Sequence, residues 1–151
     1  IEAAKVPEHV QNYLDVYTAV TGKPLSKEEM ILQSERVYNF ERVFNLRMGK
    51  GTRADHNIPD RALGPVFEDE WNARPEYFDG KLSEAGISPE GLPLKEKMTK
   101  LLEFRRSEWE KLVDAVYKRR GWNANGVPTL ETLKRLGIDF PEVVDVVKAH
   151  Q

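Results

Sequence analysis

Ser26-Lys27-Glu28-Glu29-Met30-Ile31-Leu32-Gln33-Ser34-Glu35-Arg36-Val37-Tyr38-Asn39-Phe40-Glu41-Arg42-Val43-Phe44-Asn45-Leu46-Arg47-Met48 is the stretch on which the fold turns. It opens with a serine followed three residues later by a glutamate, the form of a capping box. In that motif the hydroxyl accepts from the third residue's N–H, and the carboxylate reaches back to the serine's own N–H. Apolar residues then recur at Met30, Val37, Tyr38, Phe40, Val43, Phe44 and Leu46, and Gly49 and Gly51 supply stops. The spacing predicts a helix running to about Met48. Aromatics on more than one side predict that this helix is central and heavily buried. Tyr38, Phe40 and Phe44 accordingly read as core, not as a cofactor pocket.

Working outward, Val10, Tyr13, Leu14, Tyr17 and Val20 fall at helical spacing behind Pro7, which suits a first helical turn. Gly22 is the stop. On the far side, Leu94 to Arg120 carries a second long amphipathic pattern marked by Leu94, Met98, Leu101, Leu102, Trp109, Leu112, Val113, Val116 and Tyr117, with Gly121 as its C-cap. Trp122 is expected to fold back over that helix. Thr129 can cap a short helix closed by Gly137, and Asp139 and Pro141 open a last one from about Glu142 to Ala149. Between the long helices, residues 49–93 are rich in glycine and proline and lose the apolar period, with at most one short turn near 80–86. The pattern predicts an all-α fold: an irregular helical bundle with two long helices, several short ones and a long ordered loop region, spanning 1–151 as a single domain.

Composition closes off several classes. Twenty-three basic residues against 25 acidic give a net charge of −2, so no basic stripe offers itself to nucleic acid. No apolar run approaches the roughly 20 residues of a membrane span. The chain has no cysteine, which removes thiolate metal sites, cysteine nucleophiles and cluster ligands from this sequence, and it fits a reducing, cytoplasmic setting. The first residue is Ile1 and not methionine, so either the start was trimmed or the chain is a piece of a larger protein.

Few constellations could carry chemistry. His9, His56 and His150 are scattered, without the spacing of a metal site, and no phosphate-loop or nucleophile-elbow motif occurs. Glu68-Asp69-Glu70 reads as a solvated acidic run. The loop Arg53-Ala54-Asp55-His56-Asn57-Ile58-Pro59-Asp60-Arg61 is the one polar cluster. Its guanidinium and carboxylate groups can lock a loop by charge-assisted hydrogen bonds. Alternatively, Arg53, Asp55, His56, Asp60 and Arg61 line a cleft made with another domain.

Three blocks resemble one known family in the right order. Glu35-Arg36-Val37-Tyr38-Asn39-Phe40-Glu41-Arg42-Val43-Phe44-Asn45-Leu46-Arg47 resembles the "ER-I/V-x-N-L-E-R-x-F-N-x-R" helix of the tungsten-containing aldehyde ferredoxin oxidoreductases. Arg53 to Arg61 resembles that family's following "R-x-D-D-x-L-P-x-R" loop, with His56 where an aspartate is usual. Arg120-Gly121-Trp122-Asn123-Ala124-Asn125-Gly126-Val127-Pro128-Thr129 resembles "R-G-W-D-x-N-G-x-P-T", with Asn123 in the place of an aspartate, and Leu133 to Gly137 continues the match.

The resemblance implies the C-terminal helical domain of an enzyme that oxidises aldehydes to carboxylic acids at a tungsten-bis-pterin cofactor and passes electrons through a 4Fe-4S cluster to ferredoxin. The cluster's last cysteine precedes the part of the family seen here, so the resemblance carries no catalytic, cofactor-binding or metal-ligating residue over to this chain. Its expected role is a scaffold walling the active site and substrate channel, inactive alone, partnered by the enzyme's other two domains and ferredoxin. An exposed apolar interface would promote self-association. The alternatives are a free-standing helical protein-interaction module and a small subunit of a split oxidoreductase. A natural start codon just before Ile1 would favour the first, and a cysteine-bearing partner chain the second.

Overall fold

The computed structural model describes residues 6–151. The elements among them are α1 (Pro7–Thr21), α2 (Lys27–Arg47), α3 (Asp60–Leu63), α4 (Glu68–Asn72), α5 (Pro75–Glu84), α6 (Leu94–Arg120), α7 (Leu130–Leu136) and α8 (Pro141–Ala149), with a 3-10 turn at Arg53–Asp55. Strand-type pairing among the described residues is confined to an isolated antiparallel bridge between Trp122 and Pro128. The chain is all-α, as its periodicity predicts. Residues 53–120 gather into one compact unit, and the remaining described chain into another. Each long helix is the spine of one unit.

In the first unit, α1, α7 and α8 pack on α2. The capping box forms as read: Glu29 N donates to Ser26 Oγ at 3.1 Å, and Ser26 N donates to Glu29 Oε2 at 2.8 Å. Val43 and Leu46 of α2 join Val127, Leu133, Leu136, Ile138, Val143 and Val147 in one apolar cluster. The sidedness of α2 reverses the expectation, however. At 3.6 residues per turn, positions 35, 39, 42 and 46 share a face, and positions 37, 40 and 44 lie opposite. The buried face carries Asn39 and Arg42 beside Val43 and Leu46, while Tyr38, Phe40 and Phe44 are exposed. Apolar period alone could not show this, because α2 has apolar residues on both sides and the partner helices cover only one.

In the second unit, α3, α4 and α5 pack on α6. Trp71, Leu82 and Leu101 form its centre, ringed by Phe78, Ile87, Leu94 and Met98. Lys97 Nζ donates to Asp79 Oδ2 at 2.8 Å, and Arg105 Nη1 donates to the Leu63 carbonyl at 2.7 Å, closing the end of α3. The segment expected to be largely irregular thus holds three short helices, and α5 replaces the single turn expected near 80–86. Its start is set by Pro75 in the first turn, and Phe78 and Leu82 point one turn apart to the core. Gly80 between them obscured the signal. The buried stripe of α6 also narrows toward its end: Leu112 and Val116 are exposed, and only Val113 and Tyr117 are buried there.

Candidate functional site

The loop from Arg53 to Arg61 is tied to its own unit. Arg53 donates from Nη1 to Asp114 Oδ1 at 2.5 Å and from Nη2 to Glu110 Oε2, and its guanidinium lies 5.6 Å from the Tyr117 ring centroid. Asp114 first, and Glu110 second, hold the Arg53 guanidinium above its already high ordinary pKa, so it is a permanent cation. His56 Nδ1 and the Tyr117 hydroxyl share a hydrogen bond, with the rings 5.6 Å apart. Asp60 pairs with Arg106 on α6, and Arg61 with Glu70 on α4. Asp55 sits exposed on the 3-10 turn. Glu70, read as part of a solvated run, also accepts from Val66 N at 2.9 Å, which fixes the entry to α4. The cluster the sequence singled out is therefore brought together, with Arg53, His56, Asp60 and Arg61 contacting α4 or α6.

A second cluster, which sequence reasoning missed as such, lies in the first unit. The turn after α6 inserts Trp122 against α2, which corrects the expectation that Trp122 closes over the second long helix. Trp122 Nε1 donates to Asn39 Oδ1 at 2.7 Å, and Asn39 Nδ2 donates to the Glu35 carbonyl at 2.9 Å. The Trp122 ring stacks on Tyr38 at 5.8 Å with planes 7° apart, and the Arg42 guanidinium sits 4.4 Å from its centroid. Arg42 Nε also donates to the Gly126 carbonyl at 2.8 Å. Two further links hold α7: Arg36 Nε donates to the Leu136 carbonyl at 2.6 Å, satisfying the helix end, and Arg135 pairs with Glu35 at 2.9 Å.

The turn itself is organised by Asn123, whose Oδ1 accepts from Asn125 N at 2.9 Å and Val127 N at 3.0 Å. Gly121, at φ 70°, is required by both conformation and space. A Cβ there would lie 2.1 Å from Thr132 Oγ1, which donates to the Gly121 carbonyl at 2.8 Å. The signal for this cluster was present in the sequence as Glu35, Asn39 and Arg42 at one-face spacing. A polar stripe on a helix reads as solvent-facing until a partner is known.

These links join two of the blocks that carried the resemblance. A family model described as "Aldehyde ferredoxin oxidoreductase, domains 2 & 3" matches residues 2–138. The chain belongs to this family. It is 28% identical over 128 residues to the tungsten-containing aldehyde ferredoxin oxidoreductase of Pyrococcus abyssi, and 28% identical over 127 residues to those of Pyrococcus furiosus and Thermococcus kodakarensis. These alignments cover 84–85% of the chain and 16% of each relative, so the chain spans about one sixth of the length of the relatives it matches. No solved structure matches it.

The relatives are named as tungsten-containing, and this chain offers few metal donors. It has no thiolate to offer, and among the described residues no three His, Asp or Glu side chains are grouped to hold a metal ion. In the oxidoreductase loop, His56 is engaged by a phenol and Asp60 by a guanidinium. No helix among the described residues is long and apolar enough to cross a membrane.

Proposed function

We propose that residues 1–151 form the C-terminal helical part of a cytoplasmic aldehyde:ferredoxin oxidoreductase and act there as a scaffold. The full-length enzyme would oxidise aldehydes to carboxylic acids at a tungsten-pterin, with electrons leaving through a 4Fe-4S cluster to ferredoxin. The cofactors would supply that chemistry, and this part would wall the site and channel. Within it, the Arg53 to Arg61 loop would be the segment nearest the active site or a domain interface.

The observation that carries the scaffold reading is how the family motifs are used. Glu35, Arg36, Asn39 and Arg42 all bond to the stretch between Trp122 and Leu136 or stack on it, and Arg53, Asp60 and Arg61 all pair within their own unit. Charge-assisted bonds that bind motif to motif hold a shape, and they leave the reacting groups to other parts of the enzyme. The test is metal analysis and an ultraviolet–visible spectrum of this chain expressed alone and of the full-length gene product. Tungsten and cluster absorbance in the full protein, with neither in the chain alone, is the expected result. Stoichiometric metal in the chain alone would overturn it. For the loop, alanine at Asp60 and Arg61 in the whole enzyme should lower activity or stability, and wild-type values for both would remove the loop's assignment.

A further inference from the structure

Phe40, Phe44 and Arg47 on α2 face Phe140, the N-cap of α8, and Glu142 and Val146 within α8 across a groove of about 290 Å³. Its three phenylalanines are 49%, 58% and 54% exposed. We infer that this groove is the seat of an apolar helical segment from the part of the same polypeptide that lies outside residues 1–151, an inference that rests on the proposed membership in a longer enzyme.

Three observations choose the groove and its occupant. First, the motif helix divides cleanly. Glu35, Arg36, Asn39 and Arg42 serve the chain's own fold, while Phe40 and Phe44, at the motif's apolar positions, are left facing outward. Removing that much aromatic surface from water is strongly favourable, so a partner that fits it gains most from covering these rings. Second, the relatives are several times longer than the chain, so a covalently linked partner is at hand at high effective concentration. Third, the walls are aromatic and aliphatic with one cation, Arg47, and one anion, Glu142, at their edges. That is the chemistry of helix-in-groove recognition, in which an amphipathic helix inserts residues at i, i+3 or i+4 and i+7. Val143 also lines the groove while packing in the core cluster, so the floor is anchored to the rigid part of the unit.

The test compares hydrogen exchange of the α2 and α8 amides in the chain alone and in the full-length protein, each as wild type and as Phe44→Glu, Phe140→Glu and the double variant. In the full-length protein, the wild type should protect residues 40–47 and 140–147 more than the chain alone does. Each substitution should then accelerate exchange there by about tenfold or more, as loss of one buried phenylalanine implies. In the chain alone the same substitutions should leave exchange and helical content unchanged, because the rings are exposed there. Equal protection in chain and full-length wild type would overturn the groove assignment, as would unaltered exchange in a full-length double variant. So would a dimer of the chain alone that the substitutions dissociate while the full-length protein is unmoved, since the occupant would then be a second copy. Tungsten content of the full-length wild type separates the two levels. If it is absent, the oxidoreductase reading fails. If it is present and exchange is unaltered, only the groove fails.

Discussion

Replacing Asn39 with alanine removes the acceptor of the Trp122 indole N–H, a bond 2.7 Å long between groups that are 1% and 7% exposed. A buried donor left without an acceptor costs about 1–3 kcal/mol. The truncated carboxamide leaves a small void worth about another 1 kcal/mol. Alanine is the better helix former and returns roughly 0.5 kcal/mol. The net loss expected is about 1.5–3.5 kcal/mol, which at a urea m-value of about 2 kcal/mol/M lowers the midpoint by about 0.8–1.8 M. Trp122 fluorescence, isolated by replacing Trp71 and Trp109 with phenylalanine, follows the first unit, and near-ultraviolet dichroism checks the packing. The decisive form is a double-mutant cycle with Trp122→Phe, which keeps an aromatic ring and deletes the N–H, with all four proteins followed by far-ultraviolet circular dichroism because the Trp122 variants lack the fluorophore. A coupling of about 1 kcal/mol or more is expected between the two positions. A loss below about 0.5 kcal/mol for Asn39→Ala, or additive single effects, would refute the argument that this bond locks the turn onto α2.

Three further outcomes follow from the same structure. Gly121→Ala should destabilise by about 1 kcal/mol or more beyond Gly22→Ala, measured by thermal unfolding. Both glycines sit near φ 70°, but only at Gly121 would a Cβ meet a neighbour, Thr132, so the difference reports the clash. Ser26→Ala should remove about 1 kcal/mol of stability through the lost cap. It should also flatten part of the acid dependence of folding. The backbone N–H of Ser26, and then its hydroxyl, hold the Glu29 carboxyl below its ordinary value, so its stabilisation is present above the unfolded carboxylate range and is lost as pH falls through the lowered folded value. Arg53→Lys should release one of the two carboxylates, because an ammonium lacks the planar fork that reaches Glu110 and Asp114 together. Exposed pairs contribute little, so the loss should be small and should shrink as salt is added.

Local rules were strong where the chain answers to itself. The Ser26 cap, the ends of α6 at Leu94 and Arg120, and the Thr129 start and Gly137 stop of α7 all stand where sequence spacing puts them. These features involve residues within a turn or two of one another, and hydrogen-bond geometry at that range leaves little freedom. The third motif block, Arg120 to Thr129, could be quoted from the sequence as well. The identity of its partner could not, because Trp122 and Asn39 are 83 positions apart.

The candidate loop shows the same division. That Arg53, Asp60 and Arg61 form ion pairs follows from their charges, and which acids answer them follows only from packing. Glu110 and Asp114 are four residues apart on α6 and so present two carboxylates on one face to a single guanidinium. The sidedness of α2 was out of reach from sequence for a physical reason. A helix with apolar groups on one flank and a mixed polar stripe on the other can bury either, and the outcome depends on which partners supply acceptors and donors. Here the Trp122 indole donates to Asn39 and the Gly126 carbonyl accepts from Arg42 Nε, so the polar stripe goes inside and Phe40 and Phe44 stay out. By itself the sequence determined the helical class, most helix ends and the family. Only the tertiary structure decided which face of the motif helix is core, because burial of a polar group is settled by partners distant in the chain.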